Sequence, residues 1–405
     1  MHNRGRVIVV GAGPVGAVAA LAAARRGFAV TLVERNAEVE FDAAPRAATF
    51  HPSTLEILDG LAIMPDFLSV GLVCRYFDFW DRPGHALVAR MDHDVLRDVT
   101  QFPYVVQTEQ HKLVRIALER LRKLPDVEIL LGWQVDSISQ DETGVTVRAA
   151  NGTAERHITG SWLLGCDGGR STVRKQLDIE FEGYTWPERF AVLTTRFDFA
   201  AAMGCSERSY FADPDQWVNL FKVAGDDLRG RWRVVFAAPA DSSDEEVLSD
   251  ASAKECLAGL HPDAGLGDLV HRNLYNVHQR VAKRFRAGRV FLAGDAAHVN
   301  NPIGGLGLNC GIHDAMELVG TLEQAGDDAG APLLDRYERR RRTVNIEFVQ
   351  QQTVDNKQRL EEKDPAKRRE RLDALRAIAD DETRQLAFLR RTSLLDGVQR
   401  AQAID

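Results

Sequence analysis

Arg6-Val7-Ile8-Val9-Val10-Gly11-Ala12-Gly13-Pro14-Val15-Gly16 begins the stretch of this chain that decides its fold. The apolar run before Gly11 predicts a buried parallel strand. Ala17 to Arg26 is Ala-rich and favours a helix, and Gly27 ends it. Phe28 to Val33 predicts a second strand, with Glu34 at its end, 23 residues after Gly11. Strand, glycine turn, helix, strand and acid form the βαβ pattern that takes an adenine dinucleotide. Gly11 permits the tight turn, Gly13 lets a pyrophosphate approach the backbone, and Gly16 allows close helix–strand packing. Pro14 and Val15 open the helix, whose unpaired N–H groups and partial positive charge suit phosphate. Glu34, followed by Arg35, accepts hydrogen bonds from ribose hydroxyls and repels a 2′-phosphate. At this point NAD and FAD both remain open.

Two later segments extend the pattern. Ser161-Trp162-Leu163-Leu164-Gly165-Cys166-Asp167-Gly168 reads as a strand and turn, with a helix starting at Ser171. Arg289 to Ala293 is another buried strand, ending in Gly294-Asp295 and followed by Ala296-Ala297-His298. The loop Asn300-Asn301-Pro302-Ile303-Gly304-Gly305-Leu306-Gly307 then leads into Leu308, Asn309, Cys310 and Gly311. Leu308, Ile312, Ala315, Leu318, Val319 and Leu322 recur at helical spacing. Gly305-Leu306-Gly307 follows a loop, so it is not a second nucleotide fingerprint.

In this order and approximate spacing, the three motifs resemble the single-component FAD-dependent aromatic hydroxylases, the para-hydroxybenzoate hydroxylase-like flavoprotein monooxygenases. The likeness spans roughly residues 5 to 342. It implies an α/β (α+β) fold, in which a Rossmann-type FAD-binding domain interleaves with a mostly antiparallel β-sheet substrate domain and C-terminal helices follow. The expected division is 1–71, 101–175 and 286–330 for the FAD domain, 72–100 and 176–285 for the substrate sheet, and 331–405 for the helical region. FAD is the implied cofactor and NADH or NADPH the transient co-substrate. O2 and a small aromatic compound complete the reactants. The implied reaction hydroxylates an electron-rich phenolic or hydroxypyridine acid through a flavin C4a-hydroperoxide.

The resemblance also implies roles for single residues. Asp167 lies near the pyrophosphate, Asp295 binds the ribityl chain, and Pro302 sits beside the reactive edge of the isoalloxazine. Gly307, Leu308 and Asn309 begin a helix aimed at the flavin pyrimidine, where a helix N-terminus stabilises negative charge. Arg46, in Pro45-Arg46-Ala47, contacts FAD. Gln107, in Gln107-Thr108-Glu109, binds its ribose and adenosine side. Asn219, Phe221 and Arg233 point at the substrate ring, with Arg233 suited to a carboxylate, and Tyr210 relays a phenolic proton. Leu306-Gly307-Leu308 and Asn300-Asn301 depart from common family patterns and leave the substrate subfamily open. His298 and His51 read as hydrogen-bonding residues near the cofactor motifs. Cys166 and Cys310 read as small packing residues. The competing reading is a flavoprotein that does not hydroxylate: a reductase, an oxidase or a redox sensor.

The remaining sequence bounds these readings. In 405 residues there are 51 basic and 59 acidic side chains, a net charge of −8, which argues against a dedicated nucleic-acid binder. No apolar run reaches the length of a membrane span, and no N-terminal signal segment is expected. The five cysteines are scattered without a CxxC pair, so no metal site or disulfide framework is expected, and a cytoplasmic setting follows. Residues 125–165 predict a hairpin (Val127 to Leu131, Gln134 to Ser139, Val145 to Ala149) and the strand into Asp167. Further strands are expected at Phe190 to Phe199, Ser209 to Ala212, Trp217 to Val223 and Arg231 to Ala238. The helical region beyond Asp335, including Arg339 to Arg342, reads as solvated charged faces, with a homodimer contact as the lesser option.

Overall fold

The computed structural model describes residues 4–38 and 48–405; Arg46 lies outside the described residues. Strands β1 (Arg6–Val10) and β2 (Ala29–Glu34) flank helix α1 (Pro14–Arg25), as the opening stretch predicts. Val30, Leu32 and five of the six alanines of α1 are buried, Ala24 being partly so, because small side chains bring this helix close against the sheet. The two strands sit in the middle of a six-stranded sheet. Trp162–Gly165 pairs parallel with β1, Val290–Leu292 pairs parallel with Trp162–Gly165, and Val127–Leu131 pairs parallel with β2. The parallel order places the carboxyl ends of these strands along one crevice, where ligands of such sheets bind.

Here the expected hairpin is corrected. Val127–Leu131 joins the parallel sheet beside β2 instead of turning back on Gln134–Gln140. Gln134–Gln140, Val145–Asn151 and Ala154–Gly160 form a separate three-stranded antiparallel sheet, whose last strand was not foreseen. Alternating polarity alone cannot say which edge a strand will join.

The second layer is an eight-stranded, mostly antiparallel sheet. Four of its strands are adjacent and carry the site: β3 (Phe181–Thr195), β4 (Arg208–Ala212), β5 (Val218–Val223) and β6 (Arg231–Ala238), with β3 next to β6, β6 next to β5 and β5 next to β4. Tyr76–Asp81 and Ala86–Asp92 extend it on one side, Leu269–Ala282 and His298–Val299 on the other. Alternation sorts the two faces. Leu193, Phe211, Leu220 and Val234 pack against a core that includes Leu257 of the helix Asp250–Ala258. Val192, Tyr210 and Val235 face the other way, into a core completed by Leu372, Leu375, Leu389 and Leu395 of the C-terminal helices. Among the described residues, no helix is long and apolar enough to cross a membrane.

Helix α2 (Leu306–Ala325) packs against α1, and helix α3 (Pro332–Val344) packs on α2. The charged run on α3 is not wholly solvated as expected. Arg341 is 3% exposed, and its Nε donates to Asp314 of α2 at 2.7 Å. Helical spacing turns this one arginine of the four inward, a placement the local charge pattern does not reveal.

Candidate active site

One cavity of about 520 Å3 lies between the parallel sheet and the Tyr210 face of the antiparallel sheet. The glycine turn forms one end. Gly11 has φ +101°, and a Cβ there would lie 2.5 Å from the Cys166 carbonyl oxygen. A Cβ on Gly16 would lie 1.9 Å from the Gly11 oxygen. A Cβ on Gly13, which lines the cavity, would meet nothing within 4 Å. Two glycines therefore serve packing, and the third keeps a cradle open at the N-terminus of α1, as a dinucleotide pyrophosphate requires. Glu34 accepts from Ala12 N at 2.8 Å and from Asn36 N at 2.9 Å. A carboxylate with two such bonds keeps lone pairs for ribose hydroxyls. Pro14 and Val15 line the cavity, while Arg35 is exposed at the end of β2.

Beyond the turn, Cys166, Gly168 and Asp295 line the wall. Asp167 lies between the first two, but its carboxylate is engaged locally. It accepts from Ser171 Oγ at 2.5 Å, Thr172 N at 2.6 Å and Val173 N at 3.1 Å, so it holds the start of the helix Thr172–Gln176. Pro302, Gly307 and Leu308 line the cavity where α2 begins, and Gly294 lies next to Asp295 at φ +60°. Asn309 does not face inward. Its Nδ2 donates to the Thr49 and Gly305 carbonyls at 2.8 and 2.6 Å, and its Oδ1 accepts from His51 N at 2.9 Å. It ties the 49–51 segment to the helix start, a long-range role invisible in local sequence.

Gln107 also differs from expectation. It is fully buried; its Oε1 accepts from Thr49 Oγ1 at 3.2 Å, and its Nε2 donates to the Glu207 carbonyl at 2.9 Å. Gln110, the first residue of the following helix, lines the cavity instead. The two positions make separable predictions. Gln107→Ala is expected to cost about 1–3 kcal/mol of stability, because it orphans buried partners, while flavin affinity is kept. Gln110→Ala is expected to weaken flavin binding about 3- to 10-fold at unchanged stability. Thermal melts and flavin-fluorescence titrations check both, and the reverse pattern would return the cofactor role to Gln107.

The loop before α2 is braced from several sides. His51 Nε2 hydrogen-bonds the Gly304 carbonyl at 2.9 Å, and Arg208 Nη2 donates to the same oxygen at 3.3 Å. Asn356, from the C-terminal helices, donates to the Ile303 carbonyl at 3.2 Å, and Asn301 N donates to Gln279 Oε1 at 3.0 Å. Burial, reinforced by the nearby Arg208 charge, holds His51 well below its ordinary pKa, so it is neutral.

The sheet supplies the rest of the wall. Arg208 pairs with Phe221 and Phe221 with Arg233 across β4, β5 and β6; two residues on, Tyr210 pairs with Asn219 and Asn219 with Val235. All six side chains line the cavity, because residues opposite one another on paired strands share a face. Tyr210, Asn219, Phe221 and Arg233 were thus expected at the substrate, and they meet at one surface. Arg208, Asn273 and Tyr275 join them without having been singled out, although Arg208 was recoverable from its two-residue spacing to Tyr210. Burial pulls Arg233 down to about 10, against the opposing charge of Glu109, so it remains a cation at neutral pH. Burial pushes the Tyr275 hydroxyl upward. Asn219 Oδ1 is buried without a protein partner.

His298 and Cys310 lie behind the wall. His298 Nε2 bonds Asp314 Oδ2 at 2.6 Å, and Arg341 Nη2 bonds the Cys310 carbonyl at 3.2 Å. Both belong to a buried ionic network, not to the cavity surface.

Comparison with known proteins agrees with this geometry. The model of a family described as FAD binding domain matches residues 4–352. A para-nitrophenol 4-monooxygenase from Pseudomonas sp. strain WBC-3 is 36% identical over 373 residues, covering 91% of this chain and 90% of its own. A 6-hydroxy-3-succinoylpyridine 3-monooxygenase from Pseudomonas putida is 34% identical, covering 96% and 98%. The crystal structure of a p-nitrophenol 4-monooxygenase from Pseudomonas putida DLL-E4 superposes with a TM-score of 0.87 at 33% identity, covering 98% of this chain and 97% of that one.

Proposed function

The chain belongs to the FAD binding domain family of flavin-dependent aromatic monooxygenases, and from that premise we propose that it hydroxylates a phenolic or hydroxypyridine ring, with NADH or NADPH as electron donor and O2 as oxidant. One observation carries the reading. A single cavity joins the Gly13 turn, Asp295 and the Pro302 loop to a sheet face bearing Tyr210, Asn219, Phe221 and Arg233. Bound FAD supplies the electron transfer and oxygen activation.

The chain's own residues do the rest. Gly13, Pro14 and Val15 would hold the phosphates, with Gly11 and Gly16 shaping the turn behind them, and Glu34 would serve the ribose and Asp295 the ribityl chain. Pro302, Gly307 and Leu308 line the approach to the reactive ring edge, and the N-terminus of α2 favours negative charge there. Phe221, Val192 and Val235 give the substrate an apolar bed and exclude water. Arg233 suits a carboxylate on the substrate and Tyr210 a phenolic proton. Strand membership supports assigning most of 1–71, 101–175 and 286–330 to the flavin domain, 72–100 and 176–285 to the substrate sheet, and 331–405 to the bracing helices, except that Leu72–Cys74 pairs with Val105–Gln107 and His298–Val299 joins the substrate sheet. Five unpaired, buried cysteines support a cytoplasmic setting.

The test is anaerobic bleaching of the bound flavin by NADH and by NADPH, with and without a panel of phenols and hydroxypyridine acids. At least one compound is expected to accelerate bleaching many-fold and to yield a hydroxylated product in air. Fast bleaching that no aromatic compound alters would instead indicate a reductase.

A further inference from the structure

Gln279 is a buried amide whose two ends are both engaged. It is 5% exposed and sits on the strand Leu269–Ala282. Its Oε1 accepts from Asn301 N at 3.0 Å and from Trp186 Nε1 at 3.4 Å. Its Nε2 donates to the Gln350 carbonyl at 3.2 Å and to Thr353 Oγ1 at 3.1 Å. Two N–H groups at one end and two oxygens at the other fix which end of the amide is the oxygen. The side chain therefore ties the loop before α2 to the C-terminal helices in one orientation.

What hangs on this amide is stiff. Asn301 precedes a proline, which biases it toward extended backbone. Pro302 fixes its own φ and has no N–H. Asn301 Oδ1 accepts from Ile303 N at 3.1 Å, closing a turn around the proline. Asn301 is fully buried, whereas Pro302 is exposed and lines the cavity. Residues 301–303 thus move as one piece, and the Asn301 N–H is its handle. Backbone pairing with the strand Leu269–Ala282 ends at Arg280 opposite Val299. Beyond that point the Gln279 side chain takes over. A second amide grips the loop from the helices: Gln350 Nε2 donates to the Val299 carbonyl at 3.1 Å. Gln350 ends a π-helical turn, Asn345–Gln350, an irregularity that recurs at functional sites. Two glutamines thus hold the loop at 299 and 301, on either side of Asn300, which lines the cavity with Pro302.

We propose that Gln279 is a positioning residue: through the Asn301 N–H it sets where Pro302 stands against the substrate face, and so how much oxygen ends on the ring. The inference rests on the aromatic-hydroxylase reading and brings the C-terminal helices into the machinery of that site. Two outcomes share one electron count. Each NADH or NADPH reduces one O2. Either one oxygen atom enters the ring and the other leaves as water, or both leave as hydrogen peroxide. Placement of the reacting groups separates the two, and an error of about 1 Å can cost on the order of 100-fold. The Gln279 amide does not titrate, so its influence is geometric.

The test compares Gln279→Met, close in length but without the amide, with wild type as holoenzyme. The probes are 4-hydroxybenzoate, 4-methylphenol and 6-hydroxynicotinate. Flavin content, probe affinity of the oxidised enzyme and probe-stimulated bleaching are expected to stay within about 3-fold of wild type, since no contact to either ligand is removed. Hydroxylated product per NADH oxidised is expected to fall about 3- to 10-fold, with hydrogen peroxide rising to match. The ratio is counted per NADH consumed, so a smaller folded fraction alone does not move it. Gln350→Met frees the loop at Val299 only and is expected to show the same shift in smaller measure; it carries the test if Gln279→Met does not fold. The proposal is overturned if product per NADH keeps its wild-type value, or if probe affinity and flavin content fall as steeply as the ratio. Failure of the hydroxylase reading looks different: wild type forms no hydroxylated product from any probe. The positioning role is then judged on the oxidised flavin alone, whose visible absorption bands are expected to shift in Gln279→Met at full flavin content; unshifted bands overturn it.

Discussion

Replacing Asp314 by asparagine is expected to destabilise the protein by about 3–5 kcal/mol, the range for breaking a buried ion pair from one side. Asp314 is fully buried. It accepts from His298 Nε2 at 2.6 Å, from Arg341 Nε at 2.7 Å and from Gly294 N at 3.0 Å. Burial alone would push its carboxyl up, but the charges of His298 and Arg341 outweigh that and hold it far below its ordinary value. Burial would likewise pull His298 down, yet the Asp314 charge raises it to about 10. Asparagine keeps the volume and removes the charge. His298 can then shed its proton, but Arg341 cannot, so an uncompensated guanidinium remains inside. The thermal midpoint should fall by roughly 4–6 °C. Asp314→Asn combined with Arg341→Met should recover part of that loss, since both buried charges are then gone. A midpoint shift of a degree or two in the single variant would show that the network is not ionic as drawn.

The same network fixes a pH dependence. The folded pKa of His298 lies above its unfolded value of 6.5, so its contribution is fully present below 6.5 and is lost as pH rises through about 10. Asp314 is shifted down, so its contribution is fully present above 3.8 and is lost as pH falls below that value. Wild-type stability should therefore decline between pH 6.5 and 10, and Asp314→Asn should flatten that limb.

That network marks the limit of what the sequence made legible. The βαβ turn was readable because its demands are local: glycines where a Cβ collides or must be absent, and an acid at the next strand end. The strands Arg208–Ala212, Val218–Val223 and Arg231–Ala238 were readable because alternation is local too, and they brought Tyr210, Asn219, Phe221 and Arg233 to one face. What failed was long-range. Asn309 meets residues 258 and 260 positions away. Arg341 reads as one of four surface arginines until α3 is laid on α2. Gln107 ends the strand Val105–Gln107 and Gln110 opens the next helix, and only the packing of that strand and helix decides which faces the cavity. Each of these depends on how elements pack, which no window of sequence carries.

Gly13 offers the sharpest separation of folding from cofactor binding. Its backbone sits at φ −64° and ψ 177°, extended geometry open to any residue, and a Cβ there would meet nothing within 4 Å. The protein alone therefore does not require glycine at this position. A valine would place two methyl groups in the cradle at the N-terminus of α1, where phosphates must approach the backbone. Gly13→Val is expected to fold with an unchanged far-ultraviolet dichroism spectrum, to purify colourless, and to bind FAD at least about 100-fold more weakly, a loss of some 2.7 kcal/mol. Gly16→Ala is the contrasting variant. Its Cβ would lie 1.9 Å from the Gly11 oxygen and 3.2 Å from the Cys166 Cβ, so α1 must lift from the sheet. Overpacking of this kind costs about 1–3 kcal/mol or more, and its first sign should be lost stability, with flavin loss following. Flavin-fluorescence titration and thermal melts on both variants separate the two causes. A Gly13→Val protein that retained stoichiometric FAD would show that the pyrophosphate approaches elsewhere, and the reading of the whole cavity would have to be redrawn from the Asp295 end.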